Sequence, residues 1–140
     1  MVGDAVDLIP FITGIGEAVK VVNASSKADN VLDAAKAIKN KVNKSVGVYE
    51  ITYSSGKNYV GKGPFARAIQ SASKNRDDDI VTSIRWKASY DDRTAYIEEY
   101  ALQTRNKVKN KATYNLIWSP GKNYYFNSRR DNPLWKRYIT

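Results

Sequence analysis

The chain has 140 residues, 42% hydrophobic and 26% charged, with a net charge of +9, which suits one ordinary domain with a buried core. It contains neither Cys nor His, so disulfides, zinc–thiolate sites, cysteine nucleophiles, Ser-His-Asp triads and histidine metal sites are excluded. Catalysis in such a chain would rest on Tyr, Lys, Arg, Ser, Asp and Glu, and a catalytic metal would be a hard cation held by oxygen, Mg²⁺ or Mn²⁺.

The N-terminal run "LIPFITGIG" is too short to span a bilayer and is broken by Pro10, Gly14 and Gly16. Asp4 and Asp7 precede it and no base does, which argues against a signal peptide. A Gly-rich helix is expected over about residues 15–23, then a turn in "NASSKADN". "ADNVLDAAKAIKNKV" places Val31, Leu32, Ala35, Ile38 and Val42 on one helical stripe. "NKVNKS" reads as a linker, so a helical segment over 1–45 is expected to precede a separate domain over 46–140 that folds without it.

The period changes after residue 45. "VGVYEITY" and "KNYVGK" read as two antiparallel strands joined by "SSGK". "GPFARAIQSASKN" begins a helix at Pro64. "RDDD" is a polar break, and "IVTSIRWKAS" is a third strand rich in β-branched residues. "DDRTAYIEEYALQTRNKVKN" opens with acids and closes with bases, as a helix dipole favours. "TYNLIWSPGKNYYFN" reads as an extended segment and a turn, followed by a basic, aromatic tail. The fold class is therefore α/β in the α+β sense: a small three-stranded antiparallel sheet flanked by helices, behind an N-terminal helical segment. Charge follows the same division. Residues 1–45 hold six lysines and five acids, net +1; residues 46–140 hold seventeen bases and nine acids, net +8, with all ten tyrosines and all three tryptophans. A basic, aromatic surface suits a polyanion, nucleic acid above all.

Gly47-Val48-Tyr49 and Tyr59-Val60-Gly61 lie on the two hairpin strands, ahead of helix, strand and helix. In that order residues 47–117 resemble the GIY-YIG nuclease family, in particular the N-terminal incision domain of the excision-repair nuclease. The resemblance implies Tyr49, Tyr59, Lys62, Arg67, Glu99 and Asn115 as catalytic residues, with Glu99 holding Mg²⁺ and Glu98 as the alternative. Ala95, Glu99 and Leu102 match the family's spacing around its glutamate, although Glu98 also suits an aliphatic-Glu register. Two tyrosines would then flank one water, and Lys62 would lower the pKa of Tyr59. Candidate nucleic-acid contacts are Lys57, Lys62, Arg67, Lys122, Arg129 and Arg130. Many members carry His or Tyr one helical turn after the arginine; this chain has Ser71.

The helical first part is similar to pre-toxin segments of bacterial polymorphic and contact-dependent inhibition toxins. That resemblance implies a nuclease delivered as part of a larger toxin, acting on nucleic acid, DNA ahead of RNA, in the target-cell cytoplasm. It also implies a cognate acidic immunity protein. The alternatives are a non-catalytic nucleic-acid-binding module on a degenerate GIY-YIG scaffold, and a repair or mobile-element endonuclease.

Overall fold

The computed structural model describes residues 6–7, 18–22, 29–116, 119–121 and 123–124. Five antiparallel strands form one sheet in the order β1-β2-β5-β3-β4. They are β1 (Val6–Asp7), β2 (Ala18–Val22), β3 (Gly47–Tyr53), β4 (Asn58–Gly63) and β5 (Val81–Ala88). The helices are α1 (Asp29–Ile38), followed by a 3₁₀ turn at Lys39–Lys41, then α2 (Phe65–Ala72) and α3 (Asp92–Val108). The α+β class holds. The three expected strands form the run β4-β3-β5, and β2 and the two-residue β1 extend it.

The helix expected over about 15–23 is corrected where it is described: Ala18–Val22 is a strand. Val19 and Val21 alternate with Lys20, so pairing with β5 turns both valines into the core, 3% and 0% exposed. Valine's β-branching favours this pleated surface over a helix. The apolar stripe of α1 is confirmed, and its burial ties the first part to the second. Val31, Ala35 and Ile38 of α1, with Val42 beyond it, share one cluster with Tyr49, Ile51, Tyr53, Phe65, Ile69, Ile84 and Trp86. The boundary expected near residue 45 therefore does not divide the core.

The alternation of β3 and β4 sorts side chains between two layers. Tyr49, Ile51 and Tyr53 face α1 and α2. Val48, Glu50 and Thr52 point to the α3 side. That second interface is unusually polar. Glu50, 4% exposed, accepts hydrogen bonds from Asn58 Nδ2 at 3.2 Å and Asn106 Nδ2 at 2.9 Å, and pairs with Arg85 Nη1 at 3.3 Å. Glu98 accepts from Lys87 Nζ and from the Ser89 hydroxyl. Burying these charges is tolerable because each is paired and hydrogen bonded.

The hairpin turn uses Gly56 at φ 93°, a conformation that glycine adopts without steric cost. Asp79 fastens this turn, accepting from the Ser54 hydroxyl at 2.9 Å, from Ser55 N at 3.2 Å and from the Ser55 hydroxyl. Pro64 stands at the N-cap of α2, and the Asp91 carboxylate caps α3 by accepting from Thr94 N at 2.7 Å. Residues 112–115 run beside β4: Asn58 N donates to Ala112 O at 3.1 Å and Tyr114 N donates to Asn58 O at 2.7 Å. No helix among the described residues is long and apolar enough to cross a membrane.

Candidate functional site

Tyr49 and Tyr59 lie on the same face of adjacent strands, because Tyr49 pairs with Gly61 and Ile51 with Tyr59. Their ring centroids are 6.5 Å apart, with 29° between the ring planes. Position 61 must be small. A Cβ there would fall 2.3 Å from Cζ and the hydroxyl oxygen of Tyr49, so the ring lies across Gly61 toward the outer edge of β4. Tyr49 is 3% exposed and Tyr59 is half-buried.

Burial pushes the Tyr49 hydroxyl above the usual phenol range, and the neighbouring charges of Tyr59 and Glu99 add to the rise. A Ser71 hydrogen bond and the Arg67 charge oppose it. The residues behind these influences come from α2, which carries Ser71 and exposed Arg67, and from α3 in the other layer, which carries Glu99. Glu99 is itself held above the ordinary carboxylate range by burial, against a Ser119 hydrogen bond and the Lys62 charge. Ser119 is positioned by its own contacts with α3: its N–H donates to Gln103 Oε1 at 2.7 Å and its hydroxyl to Tyr96 O at 3.3 Å.

Comparison with protein-family models, curated proteins and solved structures finds no match. The site must be judged on its geometry.

Glu98 and Glu99 part completely. Glu98 is 2% exposed and committed to Lys87 and Ser89 inside the fold. Glu99 is the half-buried neighbour, beside Ser119 and within reach of the Lys62 charge on the α3 side of the sheet. Lys62, expected beside Tyr59, projects from the opposite face of β4. It pairs with Asp92 Oδ1 at 2.5 Å and lies 4.3 Å from the Tyr96 ring centroid. The cation over Tyr59 is Arg76, its guanidinium 4.1 Å from the ring centroid. Arg76 also donates to the Tyr53 hydroxyl at 2.8 Å, to Ser71 O at 2.6 Å and to the Ser71 hydroxyl at 3.2 Å. Sequence reasoning missed it; the basic residue closing "SASKNR" was a weak signal.

Asn115 is committed to the backbone. Its Oδ1 accepts from Val60 N and its Nδ2 donates to Val60 O, both at 2.8 Å, so its amide mimics a neighbouring strand at the sheet edge. Lys57 lies 4.8 Å over the Tyr114 ring, away from the paired tyrosines. The Tyr114 hydroxyl donates to Asp79 at 2.7 Å, a bond that pushes the phenol up to about 12. For Asp79, burial works against ionisation, but the bonds from Ser55, Tyr114 and Ser54 prevail and hold the carboxyl well below its usual range. Lys122, Arg129 and Arg130 lie outside the described residues.

Among the described residues no three acids converge as a metal cluster. Glu99 would offer one carboxylate, and a Mg²⁺ held through a single carboxylate keeps several waters and shares substrate phosphate oxygens.

Proposed function

We propose that Tyr49, Tyr59, Arg67, Arg76 and Glu99 form a phosphodiesterase site and that the chain is a metal-dependent endonuclease of the GIY-YIG type, acting on DNA ahead of RNA. The carrying observation is geometric: Tyr49 and Tyr59, from two adjacent strands, stack 6.5 Å apart on one face of the hairpin, with a glycine under the Tyr49 ring and the Arg76 guanidinium 4.1 Å from the Tyr59 ring centroid. Tyr49 keeps its proton and orients water or phosphate, because burial disfavours its phenolate. Tyr59 takes the base role: it is less buried than Tyr49, and the Arg76 guanidinium over its ring holds the ring in place. Arg67 braces phosphate oxygens with its planar fork. Glu99, with Ser119 beside it, would hold the Mg²⁺, which when bound supplies charge neutralisation at the phosphate.

The test is cleavage of plasmid DNA with Mg²⁺ or EDTA. Tyr59→Phe should slow cleavage by roughly two to four orders of magnitude, the usual range for a general base. Glu99→Gln should lose cleavage and keep binding, whereas full activity of either variant, or equal cutting in EDTA, removes the assignment. A delivered toxin with an acidic immunity protein follows from the resemblances and the net +8 of residues 46–140. Expression inside a bacterium should then arrest growth, and Glu99→Gln should relieve the arrest.

One observation favours a second reading. Lys62 pairs with Asp92 instead of standing beside Tyr59, and Asn115 is bonded to the Val60 backbone, so neither takes the role expected of it. A non-catalytic nucleic-acid-binding module would bind in the same salt-dependent way and cut under no condition.

A further inference from the structure

Strand β4 ends the sheet order β1-β2-β5-β3-β4, so its outer edge faces no other strand. Along an antiparallel strand, alternate residues turn their backbone N–H and C=O groups to opposite sides. Residues 58, 60 and 62 turn theirs away from β3, a row with which an extended chain could pair. At Asn58 and Val60 the row is occupied by residues 112–115 of the same chain. Asn58 N donates to Ala112 O at 3.1 Å, and Asn58 O accepts from Tyr114 N at 2.7 Å and from the Thr113 hydroxyl at 3.1 Å. At Val60 a side chain stands in for the backbone: the Asn115 amide makes both bonds, each at 2.8 Å.

The covering segment is held at few points. Asn58↔Thr113 is its bridge to β4. Ala112 and Thr113 are exposed, and Leu116, which ends the segment, is 96% exposed. A cavity of about 390 Å³ lies between the segment and α3, so it has little packing on that side. Its remaining anchor is Tyr114. That ring meets the Tyr53 ring edge-on at 5.1 Å, and its hydroxyl donates to Asp79 at 2.7 Å.

We propose that the outer edge of β4 is a strand-pairing surface covered by residues 112–115, and that the occupant it fits once they are displaced is β4 of a second copy, antiparallel about Val60. The sequence of β4 is self-complementary in that register. Val60 falls opposite Val60, Lys62 opposite Asn58 and Tyr59 opposite Gly61. No like charges face each other, which would otherwise oppose the pair. Each Tyr59 meets a glycine, as Tyr49 already meets Gly61 within the hairpin. Covering an exposed edge is a general defence against strand addition, and here the Asn115 amide guards Val60. Strand pairing is independent of the chemistry proposed for Glu99 and the tyrosines.

The experiment compares self-association of the full chain by sedimentation velocity, wild type against Tyr114→Ala with Asn115→Ala. The variant loses both Asn115 bonds and the Tyr114 bond to Asp79. Each bond is worth roughly fivefold, so the uncovered edge should be populated about a hundredfold more. The wild type is expected to stay monomeric and the variant to form a concentration-dependent dimer. Register is read by cross-linking, because the chain has no cysteine of its own. Directly opposite residues in a hydrogen-bonded antiparallel pair have Cα atoms about 5.5 Å apart, within disulfide reach. Val60→Cys in the variant background should therefore oxidise to a covalent dimer. Lys62→Cys should not, because the two residues 62 would lie roughly 14 Å apart. Lys62 is the more exposed of the two positions, so random collision would favour it instead. A folded variant that stays monomeric, a wild type that dimerises equally, or coupling at position 62 as ready as at 60 overturns the proposal. Should the double alanine variant fail to fold, Tyr114→Phe with Asn115→Asp, which keeps both shapes, carries the same test: a dimer supports the pairing and a folded monomer overturns it.

Discussion

Gly61→Ala tests why a glycine faces Tyr49 across the hairpin. The backbone at 61 is outside the left-handed region, so an alanine adds no conformational strain. It adds a methyl that would fall 2.3 Å from Cζ and the hydroxyl oxygen of Tyr49 and 2.7 Å from Cε1. The ring is 3% exposed and packed beside Tyr59, so it cannot swing away without leaving its own contacts. Overpacking of this kind costs about 1–3 kcal/mol. Spread over a 140-residue chain, that lowers the melting temperature by roughly 3–10 °C. The control is the same substitution in a Tyr49→Leu background, where the atoms that the new methyl would strike are gone. Urea unfolding of all four proteins gives a double-mutant cycle, with an expected coupling of about 1–3 kcal/mol. An equal loss from Gly61→Ala in both backgrounds would refute the argument, because the cost would then have nothing to do with the tyrosine.

Two further outcomes follow from burial. The Glu99 carboxyl is raised above its ordinary value near 4.5, so the folded state holds this proton more tightly than the unfolded state and stability is lost as pH rises through that window. Glu99→Gln should therefore melt higher than the wild type at pH 7, with the gap narrowing toward pH 4; an unchanged or lower melting temperature at pH 7 would contradict it. A chain of residues 46–140 should remain unfolded by circular dichroism. It lacks Val19, Val21, Val31, Ile38 and Val42, all under 9% exposed. At about 1.5–2 kcal/mol each their loss approaches the whole stability of an ordinary domain, and a cooperative thermal transition in the truncated chain would show the core closing without them.

The elements that place the tyrosines were legible in the sequence, because short-range periodicity is a local property. The hairpin, α2, β5 and α3 all follow from apolar spacing and turn residues, and α1 from its stripe. Even the side taken by Lys62 was implicit, since residues 59 and 62 of one strand face opposite ways. Strand β2 was not legible: "AVKVV" is short enough for either period, and pairing with β5 settled it. Adjacent glutamates in one helix point about 100° apart, and nothing local chooses between them. Lys87 and Ser89, brought in by β5, take Glu98 and leave Glu99 to Ser119 and the Lys62 charge. Arg76 reaches Tyr59 from 17 positions further along the chain, and Asn115 reaches Val60 from 55 positions further. A side chain's partner across such separations is fixed by where the backbone returns, which depends on the packing of the whole core and not on the residues beside it.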